Sequence, residues 1–323
     1  MYEDCRAVGE GSASSGTVRL LKGRGSGGMP GPAAIGRHRM KTKYKIKNLW
    51  TMVPLLILAA LFIFLPILSM IKQSFMMPET GTFTLNNYKT IFTDSVYRVA
   101  TENSLYLSFL STIIGLILSF LIAYSINELG QKGQGRILSL LNMVSNFAGL
   151  PLYFSFVVIL GNTGIFVLAL KAIGIELATV FKLYSMQGLM LMFVYFQLPL
   201  GSLMLVPAFQ AIQPAWKEAA ELMEASTFKF WTKIGIPVML PSLLDTFALL
   251  FANAITAYAT VLLLVTTSIP LLPVKITTMF TGEMTPQREM GSTLAIWMIV
   301  IMLAVICGCN LLKKLLYKGG SGS

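Results

Sequence analysis

Residues 213–243 read QPAWKEAAELMEASTFKFWTKIGIPVMLPSL, and they separate two of the longest apolar runs of the chain. Pro214 stands just ahead of a helix-forming run, residues 215–225, and proline suits the first turn of a helix. Ala, Leu and Met form one side of this run, whereas Lys and Glu form the other. The pattern predicts a short amphipathic helix that lies outside a membrane.

A second short helix is predicted over residues 228–236, where the side chain of Ser226 or Thr227 can cap the first turn. Pro237 and Pro241 then lead the chain into the next apolar run. Two helices that are joined by a tight turn and held against a membrane span would be able to transmit force to that span.

The composition around this stretch is that of a membrane protein. Of the 323 residues, 55% are hydrophobic and only 12% are charged, values that a domain with a water-facing surface rarely reaches. A spanning helix needs about 20 apolar residues. Six segments meet this length, so an all-α membrane domain with six transmembrane helices is predicted: 50–71, 100–127, 138–161, 184–211, 239–267 and 290–312.

One further run, residues 164–175, is apolar but too short for a span. A helix on the lipid surface or a re-entrant helix is favoured there over a seventh span.

Basic residues predict the orientation, because Lys and Arg are enriched in cytoplasmic loops. They precede the first span, fill the loop after the second, recur between the fourth and fifth and follow the sixth. The N- and C-termini and residues 213–243 are therefore predicted to face the cytoplasm of a bacterial inner membrane. The residues that carry this bias are Lys41, Lys43, Lys45, Lys47, Lys132, Arg136, Lys217, Lys229, Lys233, Lys313, Lys314 and Lys318.

Several chemistries lack suitable residues. The formal charge of +11 is dispersed between apolar runs, which does not favour nucleic-acid binding. His38 is the only histidine, and it lies in the suspected leader at residues 1–39, so the predicted membrane domain offers no histidine for a catalytic triad or for paired zinc ligands. The glycine-rich stretch at residues 130–136 lacks the Gly-Lys-Ser/Thr ending of a nucleotide-binding loop. We predict no enzyme, no catalytic residue, no metal site and no cofactor bound by this chain.

Polar residues inside the spans are candidates for a translocation pathway. Asp245 is the clear acidic one, and an intramembrane carboxylate usually faces a cavity or the bundle interior. It can equally pair or cap near the membrane interface. Amides can line the path or join helices by hydrogen bonds, and Pro151 suits a broken, moving helix. The pathway candidates are Asn146, Pro151, Gln197, Asp245 and Asn253, and Asn103 and Tyr258 are further polar residues in the spans.

Glu218-Ala219-Ala220, followed at matching spacing by the run from Ile236 to Pro241, resembles a known motif. It is similar to the cytoplasmic loop of membrane (permease) subunits of binding-protein-dependent ABC importers with the maltose-type (type I) fold. In that family the first helix of the loop is the coupling helix, which docks on the ATPase. The resemblance implies docking roles for Glu218, Ala219, Ala220, Met223 and Glu224. Met223 and Glu224 replace the usual Asp-Gly pair, so the loop geometry is expected to differ or the chain to be the degenerate subunit of a heterodimer.

The same resemblance implies the partners. These are an ABC ATPase dimer that binds ATP and Mg, a second permease subunit that is expected to form a heterodimer with this chain, an extracytoplasmic substrate-binding protein and membrane lipid. Residues 145–166 resemble more weakly the branch that serves polyamines, ferric iron, thiamine and phosphonates.

An alternative function is an ion-gradient-driven secondary transporter that uses Asp245. Such proteins often contain internal repeats, and no convincing repeat relates the first three spans to the last three. The ends of the chain differ in composition from its body. Residues 1–39 are predicted to be a vector-derived or disordered leader, residues 40–318 the permease domain and residues 319–323 a linker remnant.

Overall fold

The computed structural model describes residues 52–77, 81–176, 181–265, 269–282 and 287–318. The chain divides into two compact units after Leu55. Residues 52–55 are the described part of the first unit. The predicted leader and linker remnant lie outside the described residues. In chain order the helices are α1 (Val53–Ser74), α2 (Asn86–Thr93), α3 (Ser95–Asn127), α4 (Gln131–Ser145), α5 (Leu150–Leu160), α6 (Ile165–Ala172), α7 (Met186–Gln210), α8 (Pro214–Leu222), α9 (Thr227–Ile255), α10 (Ala259–Val265), α11 (Leu272–Thr281) and α12 (Arg288–Lys318).

Six helical segments among the described residues are long and apolar enough to cross a membrane. They are α1, α3, the segment Leu150–Ala172 that combines α5 and α6, α7, α9 and α12. The predicted all-α fold with six spanning helices is confirmed.

The third span differs from its predicted position at residues 138–161. The chain forms α4 first, breaks at residues 146–149 and begins α5 at Leu150, so the apolar segment runs from Leu150 to Ala172. The run at 164–175, predicted to be a separate surface or re-entrant helix, instead contributes α6 to this segment. Gly149, which has a φ of +69°, and Pro151 in the first turn of α5 set the break.

The fifth span also begins earlier than predicted. The second short helix, predicted at residues 228–236, is continuous with the span, and together they form α9. The helix then ends at Ile255, and a break at residues 256–258 separates it from α10, so the predicted continuous span 239–267 is two helices.

Two π-helical turns explain how prolines sit within long helices. Residues Ala60–Phe64 form one turn in α1, ahead of Pro66, and Trp231–Gly235 form the other in α9, ahead of Pro237. A proline ring would clash with the carbonyl four residues earlier. The wider turn moves that carbonyl away and lets the helix continue.

The packing is organised by α3 and α7, which contact each other more extensively than any other described pair of helices. Their interface consists of small and polar residues. The Nε2 atom of Gln197 donates to the Oγ atom of Ser111 at 3.0 Å, and the Oγ atom of Ser119 donates to the carbonyl of Leu198 at 3.1 Å. Small residues let two backbones approach closely, and hydrogen bonds join them where no water competes.

The remaining helices pack around this pair. α9 packs against both α3 and α7, and α12 packs against α9, α11 and residues 65–74 of α1. The start of α11 is fixed on α3, because the Oγ atom of Ser104 accepts from the backbone N–H of Leu272 at 2.8 Å. The Nδ2 atom of Asn103 donates to the carbonyl of Pro270 at 3.2 Å.

Gly201 on α7 should be intolerant of a methyl group. A Cβ there would lie 2.4 Å from the Oγ atom and 2.9 Å from the Cβ atom of Ser119. We expect Gly201→Ala to lower the stability of the detergent-purified protein by about 1–3 kcal/mol, measured as a fall in the thermal unfolding midpoint. Gly308→Ala is the control, since a Cβ at Gly308 meets nothing within 4 Å. Equal midpoints for the two variants would contradict this packing.

Candidate functional site

The predicted amphipathic helix outside the spans is present as α8, but it is shorter than expected. Pro214 occupies the first turn, as predicted, and the helix ends at Leu222 instead of reaching residue 225. Its end is set by Glu224, which has a φ of +55°. Glu224 is the one residue other than glycine with a positive φ among the described residues.

The turn after α8 is a Schellman motif. The backbone N–H of Ala225 donates to the carbonyl of Ala220 at 3.0 Å, and the N–H of Glu224 donates to the carbonyl of Glu221 at 2.9 Å. This pair of bonds normally places glycine at the left-handed position. Glu224 stands where the resembling family has glycine, and the left-handed turn forms nevertheless. The expected change of loop geometry through the lost glycine is therefore not seen in the backbone of this turn.

The residues predicted to dock on another chain divide into two groups. Glu218, Ala219, Met223 and Glu224 are exposed, whereas Ala220 is only 8% exposed. Two apolar side chains at the end of α8 are almost fully exposed, with 88% for Leu222 and 82% for Met223. Large apolar side chains held in this way are typical of a surface that another protein covers.

An apolar groove lies between α8 and the first part of α9. Its volume is about 530 Å³. Two of the lining residues are lysines, Lys229 and Lys233, and the other lining residues are apolar. The lining residues are Trp216, Ala219, Ala220, Met223, Ala225, Lys229, Phe230, Lys233, Ile234 and Val238.

The segment formed by α8, its turn and the start of α9, residues 214–238, is called the lever below. Its second helix is capped by Ser226, whose Oγ atom accepts from the N–H of Lys229 at 3.3 Å. Of the two residues predicted as possible caps, Ser226 and Thr227, Ser226 is the one that caps this helix.

Trp231 joins the lever to the two central helices. Its ring lies 5.5 Å from that of Tyr124 and 6.1 Å from that of Phe120 on α3, and 5.7 Å from that of Phe209 on α7, measured between centroids. Gly235 makes room for it, since a Cβ there would lie 2.4 Å from the Cε3 atom of Trp231. We call these four rings the aromatic cluster. Sequence reasoning did not single out Trp231, although a tryptophan four residues ahead of a glycine within a charged loop is a usable signal.

The structure separates the predicted pathway residues. Asp245 on α9 forms an ion pair with Lys313 on α12, which agrees with its alternative role as a paired residue. Gln197 is fully buried between α3 and α7, where it joins helices. Pro151 begins α5 and does not kink a continuous helix.

Two amides lie near the helix breaks. The side chain of Asn146 donates to the carbonyl of Asn142 at 2.7 Å within its own helix end. Asn253, whose side chain is exposed, lines a cavity of about 380 Å³ between the break at residues 146–149 and the break at residues 256–258.

Comparisons with known proteins agree with the predicted resemblance. No protein-family model matches the sequence. The PhnU permease protein of Salmonella paratyphi A, named for a 2-aminoethylphosphonate transport system, is 29% identical over 204 residues, which are 61% of this chain and 68% of PhnU. The trehalose transport system permease protein SugB of Mycobacterium tuberculosis is 26% identical over 239 residues, 74% of this chain and 80% of SugB. The spermidine/putrescine transport system permease protein PotB of Haemophilus influenzae is 26% identical over 188 residues, 57% of this chain and 65% of PotB.

Solved structures show the same fold. A chain of a bacterial alginate ABC transporter, solved in complex with an alginate pentasaccharide-bound periplasmic protein, superposes with a TM-score of 0.70 at 18% identity. The match covers 84% of this chain and 96% of that one. The predicted resemblance to permease subunits of type I ABC importers is confirmed.

Replacing Glu224 by glycine should stabilise the turn after α8. A residue with a Cβ pays about 1–2 kcal/mol in the left-handed region, and glycine does not. We expect Glu224→Gly to slow hydrogen exchange at the amide of Ala225 by roughly fivefold or more, measured by mass spectrometry of the purified protein. Glu221→Gly, inside α8, should have the opposite effect because glycine weakens a helix interior. Faster exchange at Ala225 in Glu224→Gly would contradict the strained turn.

Proposed function

We propose that this ABC importer permease subunit forms half of a solute translocation pathway and couples it to ATP hydrolysis by separate ATPase subunits. The observation that carries the proposal is the lever, a protruding pair of helices that packs through Trp231 onto α3 and α7. The chain itself performs no covalent chemistry in this proposal, and ATP and Mg bind to the ATPase.

The lever is proposed to lie on the cytoplasmic side, together with both termini. The basic residues of the loops support this orientation, since Lys and Arg favour the cytoplasmic ends of spans. Lys217, Lys229 and Lys233 belong to the lever itself. Gln210, beside the lever, has its Nε2 atom 3.5 Å from the Oε1 atom of Gln134, so the start of α4, which carries Lys132 and Arg136, lies at the same end of the bundle.

Docking on the ATPase is proposed to combine apolar and charged contacts. Leu222 and Met223 offer exposed apolar side chains, and burial of such surface drives association. Glu218 and Glu224 are exposed beside them and can select a partner of complementary charge. Ala220 supports the lever from within, because it is the buried residue of α8 and lines the groove between α8 and α9.

The motion of the lever is proposed to reach the membrane by two routes. The first is the continuous helix α9, which carries the second half of the lever and the fifth span without a break. The second is the aromatic cluster, where aromatic rings pack against each other with ordered geometry. Through both routes the lever is connected to the helices that organise the bundle.

The assembly is proposed to contain an ATPase dimer, a second permease subunit and an extracytoplasmic binding protein. The alginate transporter with its bound periplasmic protein supports such an arrangement for this fold. A heterodimer of permease subunits is proposed because the loop motif of this chain departs from its family pattern at Met223 and Glu224.

The solute is proposed to be small and polar. The segment at residues 145–166 favours the polyamine, ferric iron, thiamine and phosphonate class, and relatives are named for 2-aminoethylphosphonate and spermidine/putrescine. SugB, named for trehalose, matches a comparable share of the chain. These solutes differ in charge, so the relatives support the transport role more strongly than any one solute.

Variants of α8 test the coupling role. We expect Glu218→Ala combined with Ala220→Asp to abolish solute-stimulated ATP hydrolysis, since the aspartate places a charge in a buried position beneath the docking surface. Tagged wild-type protein should co-purify an ATPase from its host, and the variant should not. Lys132→Ala, in the first turn of α4, is the control and should retain both. Transport that persists without any ATPase would overturn the proposed function.

A variant of the aromatic cluster separates docking from transmission. We expect Trp231→Ala to keep the co-purified ATPase but to reduce solute uptake per ATP hydrolysed by roughly tenfold, as loss of a well-packed large aromatic costs about 3–5 kcal/mol of packing. Trp231→Phe keeps a ring in the cluster and should retain most of the coupling. The measurement is the ratio of uptake to hydrolysis in proteoliposomes. An unchanged ratio in Trp231→Ala would exclude the second route.

A further inference from the structure

A second apolar groove runs along the bundle between α3 and α7. Its volume is about 670 Å³. α3 lines it with a stripe of residues four apart, Tyr106, Leu110, Ile114 and Leu118, and α7 lines it with five residues between positions 186 and 194. Residues four apart lie on one face of a helix, so the groove follows the long axis of α3. It is called the α3–α7 groove below.

The length of the α3–α7 groove matches one leaflet of a bilayer. From Tyr106 to Leu118 the helix rises about 18 Å, and half of the hydrocarbon core of a bilayer is about 15 Å thick. Both α3 and α7 are among the segments that can cross a membrane. α7 begins at Met186 beside the groove and ends at Gln210 beside the lever. The groove therefore lies at the depth of acyl chains, in the leaflet away from the lever.

The groove opens on the side of α7 that faces away from the cavity between the two helix breaks. Phe196 of α7 lines that cavity, whereas Val194 lines the groove. At about 100° per residue these two side chains point roughly 160° apart. Tyr106 and Leu191, which also line the groove, are exposed in the chain. The groove is thus accessible from the outside of the bundle, where lipid surrounds a membrane protein.

One end of the groove adjoins a more polar pocket. Phe181 lines the groove and also this second pocket, whose volume is about 360 Å³. Asn162, Lys182 and Tyr184 line the second pocket, and all three are exposed. It is called the rim pocket below. Lys182 and Tyr184 directly precede α7, at the level where Lys and Tyr side chains favour the membrane interface. Groove and rim pocket together therefore run from polar to apolar, as a lipid molecule does.

The charge of the rim pocket is positive. Lys182 lines it, and none of the described residues that line the groove or the rim pocket is acidic. A second cation is near, because Lys171 follows Val167 of the rim pocket by four residues on the same face of α6. Glu176 follows α6 in the chain and lines neither space. A negatively charged headgroup complements this arrangement better than a headgroup with no net charge.

We propose that the α3–α7 groove and the rim pocket together bind one anionic phospholipid of the leaflet away from the lever. One acyl chain lies in the groove over Ile114 and Leu118, and the phosphate lies beside Lys182. The amide of Asn162 and the hydroxyl of Tyr184 can donate hydrogen bonds to the headgroup. The bound lipid joins α3 to α7 and to the segment that precedes α7. This site goes beyond the proposed function, and it does not depend on coupling through the lever.

Native mass spectrometry tests the choice of lipid. The chain is purified from its host with its partner subunits, delipidated in mild detergent and given dioleoyl phosphatidylglycerol or dioleoyl phosphatidylcholine at equal concentration. We expect roughly fivefold more phosphatidylglycerol than phosphatidylcholine to be retained, since one lysine near a membrane surface favours an anionic lipid by about this factor. Lys182→Ala should remove most of the preference. Lys89→Ala is the control, because Lys89 is exposed on α2 and lines neither space.

Tryptophan variants test the groove. Ile114→Trp places a large ring in the groove and should lower the retained phosphatidylglycerol roughly fivefold. Ile117→Trp is the matched control, since Ile117 is exposed on α3 and does not line the groove. Leu191→Trp fills the groove from α7 and gives an independent measurement if Ile114→Trp fails to fold. Phosphatidylglycerol should raise the thermal unfolding midpoint of the wild type and of Ile117→Trp, but not that of the groove variants.

Three results would overturn the lipid site. The first is equal retention of the two lipids, or a preference that persists in Lys182→Ala. The second is a midpoint that rises as much with inorganic phosphate as with phosphatidylglycerol, since the site would then take a soluble anion. The third is a cross-link between Leu191→Cys and the second permease subunit in a background with Cys5→Ser and Cys307→Ser, because a protein span would then occupy the groove.

The lipid experiments and the coupling experiments fail separately. An importer that co-purifies its ATPase and responds to the α8 variants, but shows no lipid preference, would keep the proposed function and lose the lipid site. A chain that retains phosphatidylglycerol but binds no ATPase would keep the lipid site and lose the proposed coupling.

Discussion

The close contact of α3 and α7 is the constraint on which the rest of the structure depends. Gly201 leaves room for Ser119, and the Nε2 atom of Gln197 reaches Ser111 across the same interface. In a membrane the attraction between apolar surfaces gives helices little reason to associate, so close packing and interhelical hydrogen bonds must provide it. Because α4, α9 and the aromatic cluster all rest on this pair, its geometry sets the position of the lever on one side and of the cavity on the other.

The lever and the cavity are connected through one helix. α9 begins in the lever, passes Asp245 and ends at Ile255, where the break beside the cavity starts. Displacement of a rigid helix at one end moves its other end as well, so motion at Trp231 would change the spacing between the two breaks. A cavity built from breaks can alter its shape without unfolding a helix, since the backbone there is already outside the helical ladder. The ion pair of Asp245 with Lys313 links α9 to α12.

Much of this architecture follows from the sequence. Six apolar segments and the loop with Glu218-Ala219-Ala220 were sufficient to predict the number of spans and the resemblance that the relatives confirm. Hydropathy alone misplaced the third and fifth spans, because an apolar window does not distinguish a helix from a helix interrupted at Gly149 or at Ala257. The roles of Gln197 and Asp245 depend on which residue faces them across the bundle. Ser111 and Lys313 are far away in the chain, so no local pattern could identify these partners.

Glu224 shows why a motif can depart from its pattern without losing its structure. Glycine is favoured after α8 because the Schellman turn needs a left-handed residue, yet the turn forms here with glutamate at a φ of +55°. The two backbone bonds of the turn and the burial of Ala220 on the inner face of α8 offset a conformational cost of about 1–2 kcal/mol. Glutamate in place of glycine also puts a carboxylate at an exposed position beside Met223, where glycine would have no side chain. In the proposed docking, a partner that contacts this corner meets an acidic residue, so the departure from the motif would affect the choice of partner while the backbone of the turn is kept.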